Sequence, residues 1–309
     1  MSLLTSRHVA WRRLLPCASL LVSLSAGPGL AQETVPTGAR GAMSLTYQYI
    51  NAANLAAPDM VIPTGPTDTH ALNFAVDYAI GTRWTLNASL PLITKRYKGR
   101  FPHNPLGIIP PKLDVEFIDD GHYHTSFQDL HVGAHYLATS DTSAVSVAPF
   151  VSLGVPSNDY VFFAQAAVGQ NLNRLELGTS IAYQPPFLNL YLNLDVSRVL
   201  VEETLGFNVD HWRLDAEVGR FLTPRLAAST FVSIKEGNGF YPIEFPLRTD
   251  EFWFQHDRLT RHNYVNFGFA ATWAVSDRNR LTFSAVKAVH TEAVFITRYA
   301  LSAGVTRAF

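Results

Sequence analysis

The chain has 309 residues, of which 47% are hydrophobic, and its 24 basic and 25 acidic side chains leave a formal net charge of −1. Such a chain lacks the basic face that nucleic-acid phosphates demand, so no nucleic-acid partner is expected. Beyond residue 31 no run of 18 apolar residues occurs, which excludes a membrane protein built from helices.

Residues 1–31 have the composition of a secretory signal peptide. Three arginines and no acidic residue accompany the apolar stretch 14–24, and small residues precede Gln32. This stretch is shorter than the roughly 20 residues that span a bilayer, and Pro16 interrupts its start, so a permanent anchor is disfavoured. We therefore expect an exported mature domain over residues 32–309.

The only cysteine, Cys17, lies inside the predicted signal peptide. A mature chain without thiols has no disulfide framework. Pro16 stands where a lipoprotein signal requires a small residue, so no lipid anchor is expected either.

The mature chain is dominated by a period-two alternation of apolar and polar residues, which is typical of β-strands with one apolar face. Leu72, Phe74 and Val76 alternate with Asn73, Ala75 and Asp77, and the pattern resumes after the turn Gly81-Thr82-Arg83. Later in the chain, Phe267 and Phe269 alternate with Asn266 and Gly268. We predict the apolar members to face outward and the polar members inward.

Twelve strands are predicted, an even number, as single-chain bacterial barrels normally have. Their ranges are 42–51, 69–80, 84–93, 126–137, 144–154, 175–184, 189–201, 210–221, 226–235, 263–275, 281–290 and 296–309. Residues 160–172 are the uncertain segment. We interpret them as a helical or irregular part of an outer loop, which would narrow a channel if it folded into the lumen.

Strand length and loop asymmetry favour a lipid environment over a soluble sandwich. The strands run for about ten residues, the length that crosses a bilayer at a tilt. Tight turns at 81–83, 223–225 and 276–280 contrast with long loops at 95–125 and 236–261. Short turns on one side and long loops on the other are typical of bacterial outer-membrane barrels.

The last strand ends in an outward-facing aromatic residue. Its apolar face carries Tyr299, Leu301, Ala303, Val305 and the C-terminal Phe309, although Arg307 interrupts the pattern. This arrangement is similar to the signal that the outer-membrane assembly machinery reads, so that machinery is an expected partner.

Several segments together resemble a known family. They are Asn87 to Pro91, Asp119 to His124, Phe127 to Leu130, Gly219 to Leu226 and His256 to Arg258. The chain resembles, over nearly the whole mature length, outer-membrane barrels grouped with the transporter-like proteins of phenol meta-pathway degradation. The resemblance implies a barrel and an association with the uptake of aromatic compounds.

Ionisable residues collect on the predicted inward faces. The candidate lumen-lining residues are Asp77, Asp129, His131, His135, Asp195, Arg213, Asp215 and Glu217. Mixed charges can simply solvate a pore and pair across it. Alternatively, acidic and basic residues at one level form a constriction that selects solutes by charge and size.

Two long loops carry further polar residues. The candidate loop residues are Asp119, Asp120, His122, His124, His256, Asp257 and Arg258. Their types suit a transition metal, with His262 as a further ligand, but the spacing matches no established motif, and we predict no metal and no cofactor. We predict instead that the loops dock through Asp119 or Asp120 with Arg258 or Arg261, forming a lid.

Two other function classes stay open. Some outer-membrane barrels hydrolyse lipids with a Ser and a His, and Ser126 lies near His124, but no nucleophile motif surrounds it, Ser180 or Ser284. The loop 236–261 is also strongly aromatic, through Phe240, Tyr241, Phe245, Phe252, Trp253 and Phe254, which suits a partner-binding surface or an entry funnel for an apolar solute.

The sequence thus predicts an all-β protein, a transmembrane up-and-down antiparallel β-barrel of about twelve strands in the outer membrane of a Gram-negative bacterium. It is expected to be a non-enzymatic channel or transporter-like barrel. Outer-membrane lipid would surround it, and a small, hydrophobic or aromatic solute would cross it passively.

Overall fold

A computed structural model describes residues 39–56, 61–99, 116–140, 143–185, 187–238 and 250–309. The predicted signal peptide lies outside the described residues, as do Phe240, Tyr241 and Phe245. Within the described ranges, no helix is long and apolar enough to cross a membrane.

Thirteen strands and one helix make up the described chain. The strands are β1 (Gly41–Ala56), β2 (Val61–Ile80), β3 (Trp84–Tyr97), β4 (His124–Phe127), β5 (Asp129–Tyr136), β6 (Val145–Pro156), β7 (Arg174–Tyr183), β8 (Leu190–Val201), β9 (His211–Thr223), β10 (Leu226–Gly237), β11 (Asn263–Ala274), β12 (Asn279–Glu292) and β13 (Phe295–Ala308); the helix is α1 (Asp250–Leu259).

The strands close into an antiparallel ring. Apart from β4 and β5, which both pair with β3, each strand pairs with its neighbour in sequence, and β1 pairs with both β2 and β13, so that the last strand meets the first. Every strand except the short β4 is thereby paired on both sides, which is the closed arrangement that barrels in membranes require. The predicted all-β fold with twelve barrel strands is therefore confirmed, with one additional strand.

The additional strand comes from a break in the predicted strand 126–137. Both β4 and β5 pair with β3, and Gln128 separates them. Opposite the break stands Pro91, which has no N–H for the ladder and accepts a hydrogen bond from the Gln128 backbone N–H at 2.9 Å. The two short strands thus fill one position of a twelve-strand wall.

Apolar side chains cover the outside of the barrel, and polar side chains cover the inside. Along β11, Phe269 is 57% exposed, whereas Asn266, three residues earlier and on the opposite face, is 0% exposed. Phe74 and Val76 on β2 are likewise exposed, while Asp77 is buried. The structure therefore places both members of the alternation on the sides that the sequence predicts.

The two ends of the barrel differ. The end that contains Gly41 and Phe309, called the turn end here, is connected by tight turns such as Gly81-Thr82-Arg83, where Gly81 has a φ of +66°. At the opposite end, called the loop end, lie the described residues 98–99, 116–123, 157–173, 202–210, 238 and 250–262. Residues 160–172, called the mouth segment here, are irregular rather than helical.

Two kinds of inner wall share the lumen. Between β5 and β10 the inward residues include a group of charged side chains, among them Asp129, Glu176, Arg213 and Lys235. On the other side, an apolar cluster spans five neighbouring strands and contains Ile50, Phe231, Ala270, Val286 and Ala300. Smaller polar side chains such as Gln48 and Ser302, 3.1 Å apart, flank this cluster.

Candidate functional site

The candidate lumen residues all lie on the inward faces of their strands. Asp77, Asp129, His131, His135 and Glu217 are buried, and Asp195, Arg213 and Asp215 are partly buried. Three further inward charges, Arg174, Glu176 and Lys235, belong to the same wall. The alternation also marked these three, because apolar residues flank Glu176 and Ile234 precedes Lys235, but sequence reasoning missed them.

An ion network centred on Arg213 occupies the middle of the charged wall. Its guanidinium lies 3.6 Å from Glu176 Oε1 and 3.3 Å from Asp215 Oδ2. Neighbouring hydroxyls complete the network: Ser197 donates to Glu176 at 2.6 Å and Ser233 donates to Asp215 at 2.5 Å. Both acids are therefore held by one guanidinium and one hydroxyl each.

Nearer the turn end, Glu217 collects two donors from β8. Tyr191 Oη donates to Oε1 at 3.0 Å and Asn193 Nδ2 donates to Oε2 at 2.9 Å. Glu217 is thereby fixed against the wall.

The two lumen histidines lie on β5. His135 stacks on Phe150, with ring centroids 5.0 Å apart, and neither ring nitrogen has a hydrogen-bond partner within the described residues. His131 lies four residues earlier on the same face, where Gly154 is its cross-strand neighbour. The inward face of β5 therefore presents imidazole rings packed against the wall.

The mouth segment folds across the loop end of the lumen. Tyr160 donates to Asp129 Oδ1 at 2.5 Å, and Gln128 donates to the Val168 carbonyl at 2.7 Å. Lys95, from β3, donates to the Ala167 carbonyl at 2.9 Å. Burial, and next the charge of Asp129, raise the pKa of Tyr160 well above its usual range, so its hydroxyl remains a donor at physiological pH.

Asp119 fixes the same segment from the preceding long loop. Its carboxylate accepts the backbone N–H groups of Gln165, at 3.0 Å, and Ala166, at 2.8 Å. Adjacent Asp120 makes only local contacts, with the His122 backbone N–H at 2.8 Å and His124 Nε2 at 2.9 Å. The hydrogen bond from His124, and secondly that from His122, hold the pKa of Asp120 below its usual range.

The helix α1 packs on the outer side of the mouth segment. Arg258 donates to the carbonyls of Gln170, at 2.8 Å, and Asn171, at 3.1 Å, and its guanidinium lies 3.4 Å from the centroid of the Phe162 ring. Ring contacts between Phe163 and Phe254 extend the interface. Helix and segment thus form one layer over the loop end.

The contacts that join the loops differ from the ion pairs that the sequence predicts between Asp119 or Asp120 and Arg258 or Arg261. Arg258 binds backbone carbonyls of the mouth segment, and Arg261 pairs with Glu292 at 2.6 Å. His256 is buried beside Asp257, with Nε2 3.3 Å from Oδ1. The two long loops are therefore joined through the mouth segment, which sequence reasoning could not place.

Neither a metal centre nor a hydrolytic pair is assembled in the described part of the chain. No group of three or more His, Cys, Asp or Glu side chains there is arranged to hold a metal ion. The Ser126 hydroxyl faces the Phe127 carbonyl at 2.9 Å and Asn158 Oδ1 at 3.2 Å, while His124 faces Asp120. Ser180 and Ser284 are buried on the inward faces of their strands.

No protein-family model matches this chain, and no curated protein matches its sequence. Solved structures do share its fold. An outer membrane channel from Pseudomonas putida F1 superposes with a TM-score of 0.67 at 12% identity, over 92% of this chain and 100% of that chain.

Two further structures superpose less closely. The KdgM porin in complex with disordered oligogalacturonate has a TM-score of 0.48 at 9% identity, over 86% of this chain and 99% of its own. The CymD monoaromatic hydrocarbon channel has a TM-score of 0.46 at 11% identity, over 88% and 89%. The Pseudomonas structure establishes that this chain has the barrel fold of an outer-membrane channel.

Proposed function

We propose that this protein is a passive outer-membrane channel for a small, hydrophobic or aromatic solute, closed at rest by the mouth segment and α1. One observation carries the proposal: a closed ring of strands is apolar on its outer face, whereas its inner face carries most of the polar and charged side chains. Such a wall is stable in lipid only as a closed barrel around a polar interior.

The direction of the barrel follows from its two ends. In outer-membrane barrels short turns face the periplasm and long loops face the outside. We therefore infer that the turn end is periplasmic and that α1 and the mouth segment lie on the extracellular side. The exposed ring of Phe309 and its position at the closing strand suit recognition by the assembly machinery.

The expected solute class is supported by two features. Apolar and aromatic residues line part of the route, including Phe231 in the lumen and Phe162 and Phe254 at the mouth. Aromatic faces bind apolar rings favourably. The resemblance to transporter-like proteins of phenol degradation supports the same assignment.

Planar-bilayer recordings test the channel. We expect the purified protein to give rare, brief openings whose frequency changes when an aromatic solute such as phenol is added. A flat trace from folded protein in every condition would contradict the channel and favour a structural or partner-binding barrel.

A matched pair of substitutions tests closure by the mouth segment. Asp119→Asn weakens two charge-assisted hydrogen bonds to residues 165 and 166, each worth about 1.5 to 3 kcal/mol, so openings should become at least about tenfold more frequent. Asp120→Asn removes the same charge one residue away but leaves those bonds intact. Equal opening by both variants would contradict the assignment.

A further inference from the structure

A buried cation without a counter-ion lies inside the barrel. Lys235 is on the inward face of β10 and is only 8% exposed. Across the described residues, no acceptor or acid lies within hydrogen-bond or ion-pair distance of its ammonium group. Its direct cross-strand neighbour is Arg213, and the positive charges of Arg174 and Arg213 both repel its ammonium group.

The acids of the same wall do not pair with Lys235. Glu176 and Asp215 are held by Arg213 and by serine hydroxyls, and Asp129 accepts the hydroxyl of Tyr160. Asp195 forms no ion pair within the described residues, and one of its carboxylate oxygens has no hydrogen-bond partner there. A buried ammonium group beside two like charges is unfavourable unless it gives up its proton or an anion joins it. Lys235 is thus the position in this wall where a bound anion would be stabilised.

A second donor lies beside Lys235. Tyr264 on β11 is its register partner, faces inward and is 6% exposed. Its phenol has no hydrogen-bond partner within the described residues. Side chains directly opposite each other in an antiparallel pair lie close together, so the ammonium and the phenol O–H can donate to one acceptor group. A carboxylate, with two oxygens, suits two such donors.

Two apolar clusters lie on the same inner wall as this pair of donors. On β10, Phe231 lies four residues from Lys235 toward the turn end and belongs to the apolar cluster of the lumen. A second cluster contains Leu172, Val199, Val201 and Val209, and Val199 on β8 is the register partner of His211 on β9. An organic acid has an apolar body that suits such a wall, whereas an inorganic anion has none.

We propose that Lys235 and Tyr264 bind the carboxylate of a solute with an apolar body, such as an aromatic acid, inside the barrel. The proposal rests on the proposed function for the route by which the acid arrives. It narrows the solute class from hydrophobic compounds in general to their acids.

Calorimetric titration of the refolded protein in detergent tests the site, with benzoate and its neutral analogue benzyl alcohol as probes. We expect benzoate to bind the unmodified protein at least about tenfold more tightly than benzyl alcohol does, because one charge-assisted hydrogen bond contributes about that much to the affinity. Lys235→Met should abolish that preference. Lys287→Met, which removes an exposed lysine from the outer face of β12, should preserve it.

Heat-modifiable migration on gels confirms that each variant is folded. If Lys235→Met does not fold, Tyr264→Phe keeps the aromatic ring, removes one donor and should weaken benzoate binding several-fold.

Equal binding of benzoate and benzyl alcohol, an unchanged preference in folded Lys235→Met, or equal binding of inorganic phosphate and benzoate would overturn the proposal. Binding in detergent requires no conduction. Benzoate binding by a protein that never conducts would therefore contradict the channel alone, and conduction without a preference for benzoate would contradict this site alone.

Discussion

An arginine placed on the outer face at mid-membrane should destabilise the barrel far more than one placed near the rim. Phe269 lies in the middle of β11 and is 57% exposed, and Trp273 lies four residues toward the turn end on the same face at 50% exposure. Because both side chains would face lipid, the two sites differ mainly in depth.

The depth difference follows from strand geometry. Four residues at about 3.3 Å each span about 13 Å along the strand, which at a tilt of about 40° is about 10 Å along the membrane normal. The apolar band of such barrels is about 25 Å tall, so Trp273 falls near its edge. Arginine costs about 2 to 4 kcal/mol at the midplane and about 0 to 1 kcal/mol near the interface.

Loss of the native ring must be separated from insertion of the charge. The rings of Phe269 and Phe267 are 5.1 Å apart at 87°, a contact worth about 0.5 to 1.5 kcal/mol. Alanine variants at positions 269 and 273 supply this reference. The measured quantity is the free energy of unfolding by urea in lipid vesicles, compared between Arg and Ala at each position.

We expect the Arg-minus-Ala difference to be about 2 kcal/mol larger at position 269 than at position 273. Equal differences at the two positions, or no cost at 269, would refute the reasoning that places this face in hydrocarbon.

Three further predictions concern the loop end. Asp129→Asn removes the charged acceptor of the Tyr160 hydroxyl and should raise the open probability in planar bilayers; an unchanged value would show that this bond does not hold the mouth segment. Arg258→Met should increase protease cleavage of the 250–262 region about tenfold, because two charged hydrogen bonds to carbonyls are lost; protection equal to that of the unmodified protein would contradict the docking of α1. Burial lowers the pKa of His262 to about 3, so a loop state that exposes this ring binds more protons between about pH 6.5 and 3. Opening should therefore increase as the pH falls through that window, by up to about tenfold per unit, and His262→Gln should flatten the response.

Other charges contribute to the environment of His262. After burial, the influences in decreasing order are Lys235, Asp257, Arg174 and Lys95, of which only Asp257 favours the charged imidazole. A pH response that persists in His262→Gln would assign the titration to another group.

Strand positions were predictable because they depend on local alternation. β7 at Arg174–Tyr183 and β11 at Asn263–Ala274 lie within a residue of the predicted ranges 175–184 and 263–275. The facing of Phe267 and Asn266 follows from the same rule, since one face must meet lipid and the other the lumen. The break at Gln128 was not predictable, because it depends on Pro91 in the neighbouring strand.

The loop end was less predictable because its contacts are distant in sequence. The hydrogen bonds of Arg258 with residues 170 and 171 join positions almost ninety apart, and no periodic pattern signals them. The helix α1 itself went unrecognised within the aromatic loop. Lys235 was missed although the alternation places it inward, because the predicted strand 226–235 ends at that residue. That Lys235 has no counter-ion becomes visible only once Arg213 is known to be its cross-strand neighbour.

In a barrel of this kind, water reaches one face of each strand and lipid the other. Single cysteines at positions 282 to 285 of β12 test it directly in a Cys17→Ser background, by reaction with a membrane-impermeant thiol reagent in vesicles. Thr282→Cys and Ser284→Cys, which point inward, should react, and Phe283→Cys and Ala285→Cys, which point outward, should be protected. Protection at all four positions, or reaction at 283 and 285 instead, would contradict a water-filled barrel in the membrane.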